Sequence, residues 1–325
     1  MTDTQTEETG FSRLEHFPVT FFAVVMGLLG GTLALHSART VVAWAEALAS
    51  AMFWVSVSVL AVVAAIYFAK ILRYPQAVIE EWNHPVKLAF FPTITISLLL
   101  LATAMQSNYA FVAEWVWTIA TVGQGVLTIA VVTGWLSHRS FEVGHLTPAW
   151  FIPAVGNVIV PVAGARMGYI ETSWLFFSVG LMFWGVLLTL VMNRLIFHDP
   201  IPARLFPTMV ILIAPPSVAF VAYVGMNGVV DGFARALISI AYLFGALVVA
   251  QVPRLARMPF ALSWWALSFP LAALSIASLL FARIEGSMMH QTIGMVVLAL
   301  LAVVVLGLTF RTLRAIVAGE ICRPE

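Results

Sequence analysis

The feature that most limits what this chain can fold into is its succession of apolar runs. Each is roughly 18 to 25 residues long, enough to cross about 30 Å of hydrocarbon as a helix. Of its 325 residues, 62% are hydrophobic and 10% charged, whereas a soluble domain carries about a quarter of its residues as charges. The charges that remain cluster between the runs, so most of the chain has lipid as its solvent.

Taken between polar breaks, the runs predict ten transmembrane helices. The first five are Phe17–Leu35, Ala47–Phe68, Val86–Met105, Val112–Leu136 and Pro148–Ala165. Trp174–Ile196, Leu205–Gly225, Phe233–Val252, Leu262–Phe281 and Ile293–Phe310 follow. This implies a cytoplasmic tail over 1–16, one membrane domain over 17–317 and a second cytoplasmic tail over 318–325. Met1–Gly10 is acidic and polar rather than a basic leader, so the first run is expected to be retained.

Orientation follows from Lys and Arg, which cytoplasmic loops retain during insertion. Twelve lie on one side, Arg139 and Lys70 among them. Four lie on the other: Arg39, Arg166, Arg235 and Arg283. The split places both termini in the cytoplasm of a bacterial inner-membrane protein. The single cysteine, Cys322, excludes an intrachain disulfide and any zinc or haem spacing. No cofactor, metal or nucleic acid is expected, and no catalytic or nucleotide motif points to an enzyme.

Proline separates odd from even spans. Pro18, Pro92, Pro153, Pro161, Pro207, Pro215, Pro216 and Pro270 all fall in odd ones, and the even spans as drawn contain none. A proline inside a helix removes a backbone donor and crowds the carbonyl four residues earlier, so it kinks the helix and frees polar groups. In lipid those groups need protein or cavity water. The pattern predicts five helical hairpins in a quasi-five-fold arrangement, with an inner ring of kinked odd helices around a central pore and an outer ring of straight even ones. Four odd spans also repeat a Phe-Pro pair, as in Phe91-Pro92 and Phe269-Pro270.

Proton-coupled carriers generally keep a carboxylate or histidine within the bilayer. Every histidine, His36, His138 and His290 included, lies at a helix end or in a loop. The odd spans offer hydroxyls and amides instead: Thr20, Thr93, Thr95, Ser97, Asn157, Ser217, Ser268 and Ser275. They are candidates to solvate a passing anion, and each is equally suited to bonding back to its own helix. A lining without a fixed cation binds anions loosely, which favours rapid passive conduction.

The stretch Ser263-Trp264-Trp265-Ala266-Leu267-Ser268-Phe269-Pro270 resembles the ninth helix of the tellurite-resistance/dicarboxylate transporter family, which takes in bacterial TehA and the plant guard-cell slow anion channels. Phe17-Pro18-Val19-Thr20, Phe91-Pro92-Thr93 and Ala214-Pro215-Pro216-Ser217 resemble its other odd helices. The resemblance implies a homotrimer with one pore per protomer, blocked near mid-membrane by a phenylalanine that motif position makes Phe269. Phe21 joins the lining candidates, because Phe21-Phe22-Ala23 stands where the family places a small residue among aromatics. Regulation through the long cytosolic tails of the plant members is not expected to carry over. The expected cargo is a small inorganic anion such as chloride, nitrate or sulfite, or a dicarboxylate. The competing readings are a secondary carrier for malate-like C4-dicarboxylates, tellurite- or sulfite-related efflux, and a membrane scaffold without transport.

Overall fold

A computed structural model of the chain describes residues 12–137 and 141–323. His138, Arg139, residues 324–325 and all of the expected N-terminal tail before residue 12 lie outside the described residues. Every regular element is helical: α1 (Phe22–Ala38), α2 (Trp44–Arg73), α3 (Pro75–Asn83), α4 (Pro92–Met105), α5 (Ala110–Ser137), α6 (Phe151–Gly164), α7 (Ile170–Phe197), α8 (Ala214–Asn227), α9 (Gly232–Leu255), α10 (Ser268–Glu285) and α11 (Met288–Val317). Among the described residues nine helices are long and apolar enough to cross a membrane, and the shorter apolar helix Pro148–Gly164 stands between two of them. The protein is a multi-pass helical membrane protein.

The helices divide by burial. In α1, α4, α8 and α10, with the 3-10 turns that precede them, 67–78% of the apolar window is buried, against 28–33% in α2, α5, α7, α9 and α11. Phe21 to Thr32 and Leu146 to Pro161 are buried without a break, as expected of helices wrapped by protein on all sides. The long helices instead bury one stripe. In α7 it is Ser173, Phe177, Gly180, Trp184, Leu187, Val191 and Arg194, and in α11 Gly294, Leu298, Leu301, Val305, Leu308, Thr312 and Ala315. Steps of four and three make a seam along each helix, rich in small and polar residues where backbones approach closely. Each buried helix packs against the long helix that follows it, α6 against α7 for example. The buried helices also contact one another in the order α1, α4, α6, α8, α10, and α10 packs back against α1.

All five buried helices begin in the same way, with a 3-10 segment that passes into an α-helix. These segments are Val19–Phe21, Lys87–Phe90, Pro148–Trp150, Phe206–Ile213 and Leu262–Leu267. Proline marks the joins: Pro18 precedes the first segment, Pro92 opens α4, and Pro153, Pro215, Pro216 and Pro270 lie within three residues of an α-helix start. The 3-10 turn just upstream supplies carbonyls for the N–H groups of each join, as Ser268 N–H to the Trp265 carbonyl shows, so a proline there removes one donor from the junction. Pro161 alone of the expected kink prolines lies inside an α-helix. The expectation that the alternate helices lack proline fails at Pro253, which falls inside α9 two residues before its end, because that helix runs past the apolar stretch.

The short helix α3 was not expected, and it carries a buried ion pair. Glu81 accepts hydrogen bonds from Lys70 Nζ at 3.0 Å, the Tyr67 hydroxyl at 3.1 Å and the Val19 backbone N–H at 2.7 Å. Lys70 also donates to the Phe17 carbonyl at 2.9 Å. The two charged side chains are only 3% and 4% exposed, so Lys70, counted above as a loop cation, instead ties the start of α1 to α2 and α3. Removing one partner strands the other as a buried charge. Lys70→Met is therefore expected to cost about 3 kcal/mol, with the Lys70→Met/Glu81→Leu double variant recovering part of it. Thermal unfolding in detergent measures both, and equal losses in the two variants would refute the pairing.

Candidate conduction path

Two cavities lie along the buried helices. The narrower, of about 30 Å³, is lined by the five buried helices and their leading 3-10 turns, and the wider, of about 440 Å³, by later parts of the same five together with Glu46, Ala49, Ser50, Phe53 and Trp54 of α2 and the turn after α4. In α4, Thr93 and Ile96 line the narrow cavity and Leu100 and Thr103 the wide one. In α6 the order is Ile152 and Val155, then Ile159 and Val162; in α8 it is Ala214, then Val218 and Val221. Ala23 and Met26 of α1 precede Gly30 and His36 in the same sense. All five helices thus run in one direction, with their positive N-terminal ends around the narrow cavity and their C-terminal ends around the wide one.

Among the described residues Phe269 is the one that lines both cavities. Several contacts fix it there. The indole of Trp265, just upstream, is 2% exposed and donates to Thr312 Oγ1 of α11 at 2.9 Å, and Ser268 Oγ donates to the Trp265 carbonyl at 2.6 Å. α1 passes close by because it carries glycine at two crossings. A Cβ on Gly27 would lie 2.1 Å from Ser268 Oγ and 3.1 Å from the Trp265 ring, and one on Gly30 would lie 3.3 Å from the Phe269 ring. The aromatic ring therefore rests against bare backbone of α1.

Of the expected lining residues Thr20, Phe21, Thr93, Thr95, Asn157, Ser217 and Ser268, only Thr93 reaches either cavity. The others are engaged between or along helices. Thr95 donates to Gln124 Oε1 of α5 at 2.6 Å, and Asn157 donates to Thr128 Oγ1 of α5 at 2.9 Å. Ser217 donates to the Ile213 carbonyl of its own chain segment at 2.7 Å, and Ser275 to Gly294 of α11 at 2.9 Å. Phe21 stacks on Phe17 with ring centres 4.3 Å apart, and Thr20 lies half-buried in the 3-10 turn before α1. Even Thr93 donates to its own segment, to Phe90 O at 2.5 Å. Hydroxyls in an apolar interior bond to nearby carbonyls because little else there accepts a hydrogen bond. The narrow cavity is consequently apolar.

The residues missed in the sequence are cations. Three of the four minority-side arginines, Arg39, Arg166 and Arg283, line the wide cavity, with Glu46 the one carboxylate among its described lining residues. Glu46 sits 3.7 Å from Arg39 and 3.6 Å from His36 Nδ1. Partial desolvation and the like charge of Arg283 lower the Arg166 pKa from its ordinary value. The fourth, Arg235, pairs with Glu285. The four-residue minority in the charge count was the available signal, because three of its members converge on one mouth.

Helices that jointly enclose two axial cavities, divided by one aromatic ring and entered past basic side chains, define a membrane protein built around a path for anions. The family described as "SLAC1: Voltage-dependent anion channel" matches residues 16–313, and the chain belongs to it, an anion-channel family rather than one of enzymes. Among curated relatives, the S-type anion channel SLAH3 of Arabidopsis thaliana is 28% identical over 264 residues, covering 81% of this chain and 42% of the relative. An uncharacterised transporter of Methanocaldococcus jannaschii is 24% identical over 97% of this chain and 99% of its own length. The tellurite resistance protein TehA homolog of Haemophilus influenzae is 25% identical over 81% of each. Against the plant channel this chain spans less than half of the relative's length.

The crossing of α1 and α10 gives a stability prediction. Gly27→Ala has to displace the Ser268–Trp265 segment and is expected to cost about 1–3 kcal/mol. Gly225→Ala, with nothing within 4 Å of the added carbon, serves as the control in the same unfolding measurement.

Proposed function

We propose that the chain conducts small anions passively along the axis of its buried helices, and that Phe269 is the closed gate. The observation that carries this reading is that Phe269, alone among the described residues, is shared by the two cavities. An apolar ring across a narrow passage excludes water, and an ion cannot cross without its hydration shell. Sign selection has two sources: basic side chains at the wide mouth, and five positive helix ends around the narrow cavity, where no carboxylate is among the described lining residues. The Phe-Pro pair at Phe269-Pro270 sets the ring at the join of 3-10 and α-helix, where a small change in the 3-10 segment would swing it.

The architecture we favour is ten spans, with Pro148–Gly164 as the shortest, arranged as five hairpins around the axis within a single membrane domain, 17–317. The excess of Lys and Arg on one side supports cytoplasmic termini and a place in the bacterial inner membrane. The homotrimer remains what the resemblance implies, each copy with a pathway of its own.

Phe269→Ala tests the gate. In planar bilayers under chloride, nitrate and malate gradients, the variant is expected to raise anion current about tenfold or more, since each tenfold in rate corresponds to roughly 1.4 kcal/mol of barrier. Current that reverses with the electrochemical gradient supports a channel. Saturable, pH-coupled malate uptake, equal in both forms, would overturn the proposal in favour of a carrier.

A further inference from the structure

The wide cavity does not end at the ring of buried helices. Its wall includes Ser50 and Trp54 of the long helix α2, and both face outward, Trp54 with 58% of its surface exposed. The same cavity reaches Phe269 and the buried Leu100. It therefore runs from the bundle axis to the outer surface of the helical shell. The passage lies over Leu33 and Ser37 of α1, between Ser50 and Trp54 of α2 on one side and Thr103 and Ala104 of α4 on the other. It is open because the first two hairpins meet loosely: α5 packs closely on α6, the next buried helix, whereas α2 only grazes α4.

Its depth decides what can fill it. The 30 residues of α2 make a helix about 45 Å long, against about 30 Å of hydrocarbon. Trp54 lies ten residues, about 15 Å, along from Trp44 at the head of α2, so the opening falls inside the hydrocarbon rather than at the aqueous mouth. Three materials are available there: water, a second copy of the chain, or lipid. Water needs about two to four polar partners, and the hydroxyls along the passage are engaged by their own helices. Ser37 donates to the Leu33 carbonyl at 2.9 Å and Thr103 to the Leu99 carbonyl at 2.8 Å. A helix from a second copy is about 10 Å across, too broad to enter between two helices that touch. A single hydrocarbon chain is narrow and flexible enough, and walls left without a neighbour forfeit their dispersion contacts.

We propose that this opening is a binding site for one acyl chain of a bilayer glycerophospholipid. The chain enters between α2 and α4 from the leaflet nearest the wide mouth, passes Trp54 and Leu33, and ends in the wide cavity on its Phe269 side. The headgroup stays outside, level with Thr40 and Ser107, polar residues at the mouth of the same cavity. The inference goes beyond passive conduction, and its test requires no current.

Photo-crosslinking reads the site directly. The full chain is placed in nanodiscs containing a phosphatidylcholine with a diazirine at the end of one acyl chain, and the labelled residues are mapped by mass spectrometry. Label is expected at Leu100 and Ile276 inside the cavity, as well as on the exposed Val186 and Leu190 of α7. Ser50→Trp, at an exposed position, and Ala104→Phe, at a half-buried one, narrow the opening and should abolish the interior label while leaving that on α7 unchanged. Absence of interior label in the wild type overturns the proposal, as does interior label undiminished in both folded variants. So does disulfide-linked pairing of Ser50→Cys chains in a Cys322→Ser background with no label at Trp54, the result expected if a second copy covers the opening.

Discussion

Hydrocarbon offers no hydrogen bonds, so every backbone group within it must find its partner inside the protein. The short buried helices, broken into 3-10 and α segments and carrying nearly all the membrane prolines, could not face lipid. The long helices could, and they surround the short ones. Donors also reach inward from α5: Trp117 Nε1 donates to the Val160 carbonyl at 2.9 Å and Gln124 Nε2 to the Pro153 carbonyl at 3.1 Å, which satisfies those buried side-chain N–H groups and ties α5 to α6. Both carbonyls lie on α6, the helix with prolines at 153 and 161. Irregular backbone in the interior and regular backbone at the perimeter are two consequences of the same restriction.

Charge follows a similar economy. The spans keep ionisable groups away from the passage and confine them to its ends, with Arg39, Arg166 and Arg283 at the wide mouth and the Lys70–Glu81 pair buried beside the start of α1. The latter joins Phe17 and Val19, at the head of the helix that crosses behind Phe269, to α2 and α3. Between the cavities the walls are helix dipoles and aliphatic side chains, with no fixed countercharge among the described lining residues.

Much of this was legible in the sequence, and the limits have physical causes. That the chain is all-helical and crosses a membrane many times could be read because run length against polar breaks is a strong contrast. The division into buried and lipid-facing helices could be read from proline, because the backbone cost of proline in lipid is large. Which face of a long helix turns inward could not, since both faces are apolar and the buried seam of α7 or α11 differs mainly in having small and polar residues at steps of four and three. Hydroxyls were misplaced for a related reason: in Thr95 and Asn157 the same group can serve a pore or a helix contact, and only the rotation of the helix decides. Pro253 escaped notice because α9 continues past its apolar stretch. Glu81 and α3 fell in a segment that hydropathy reads as a loop. Phe269 was singled out through its motif alone, and its seat against Gly27 and Gly30 depends on an encounter across 240 residues of chain that no local pattern encodes.

That encounter bears on how the protein is made. Each buried helix can pair with its long neighbour as soon as both have left the ribosome, but α1 cannot meet α10 until almost the whole chain exists. Until then the bundle is open on one side, and its prolines and unsatisfied carbonyls depend on the insertion machinery for shelter. The helix that closes the bundle is also the one that carries Phe269. A chain interrupted before that point therefore lacks both the last wall and the Phe269 ring, while a chain that completes the wall carries that ring between the two cavities from the start.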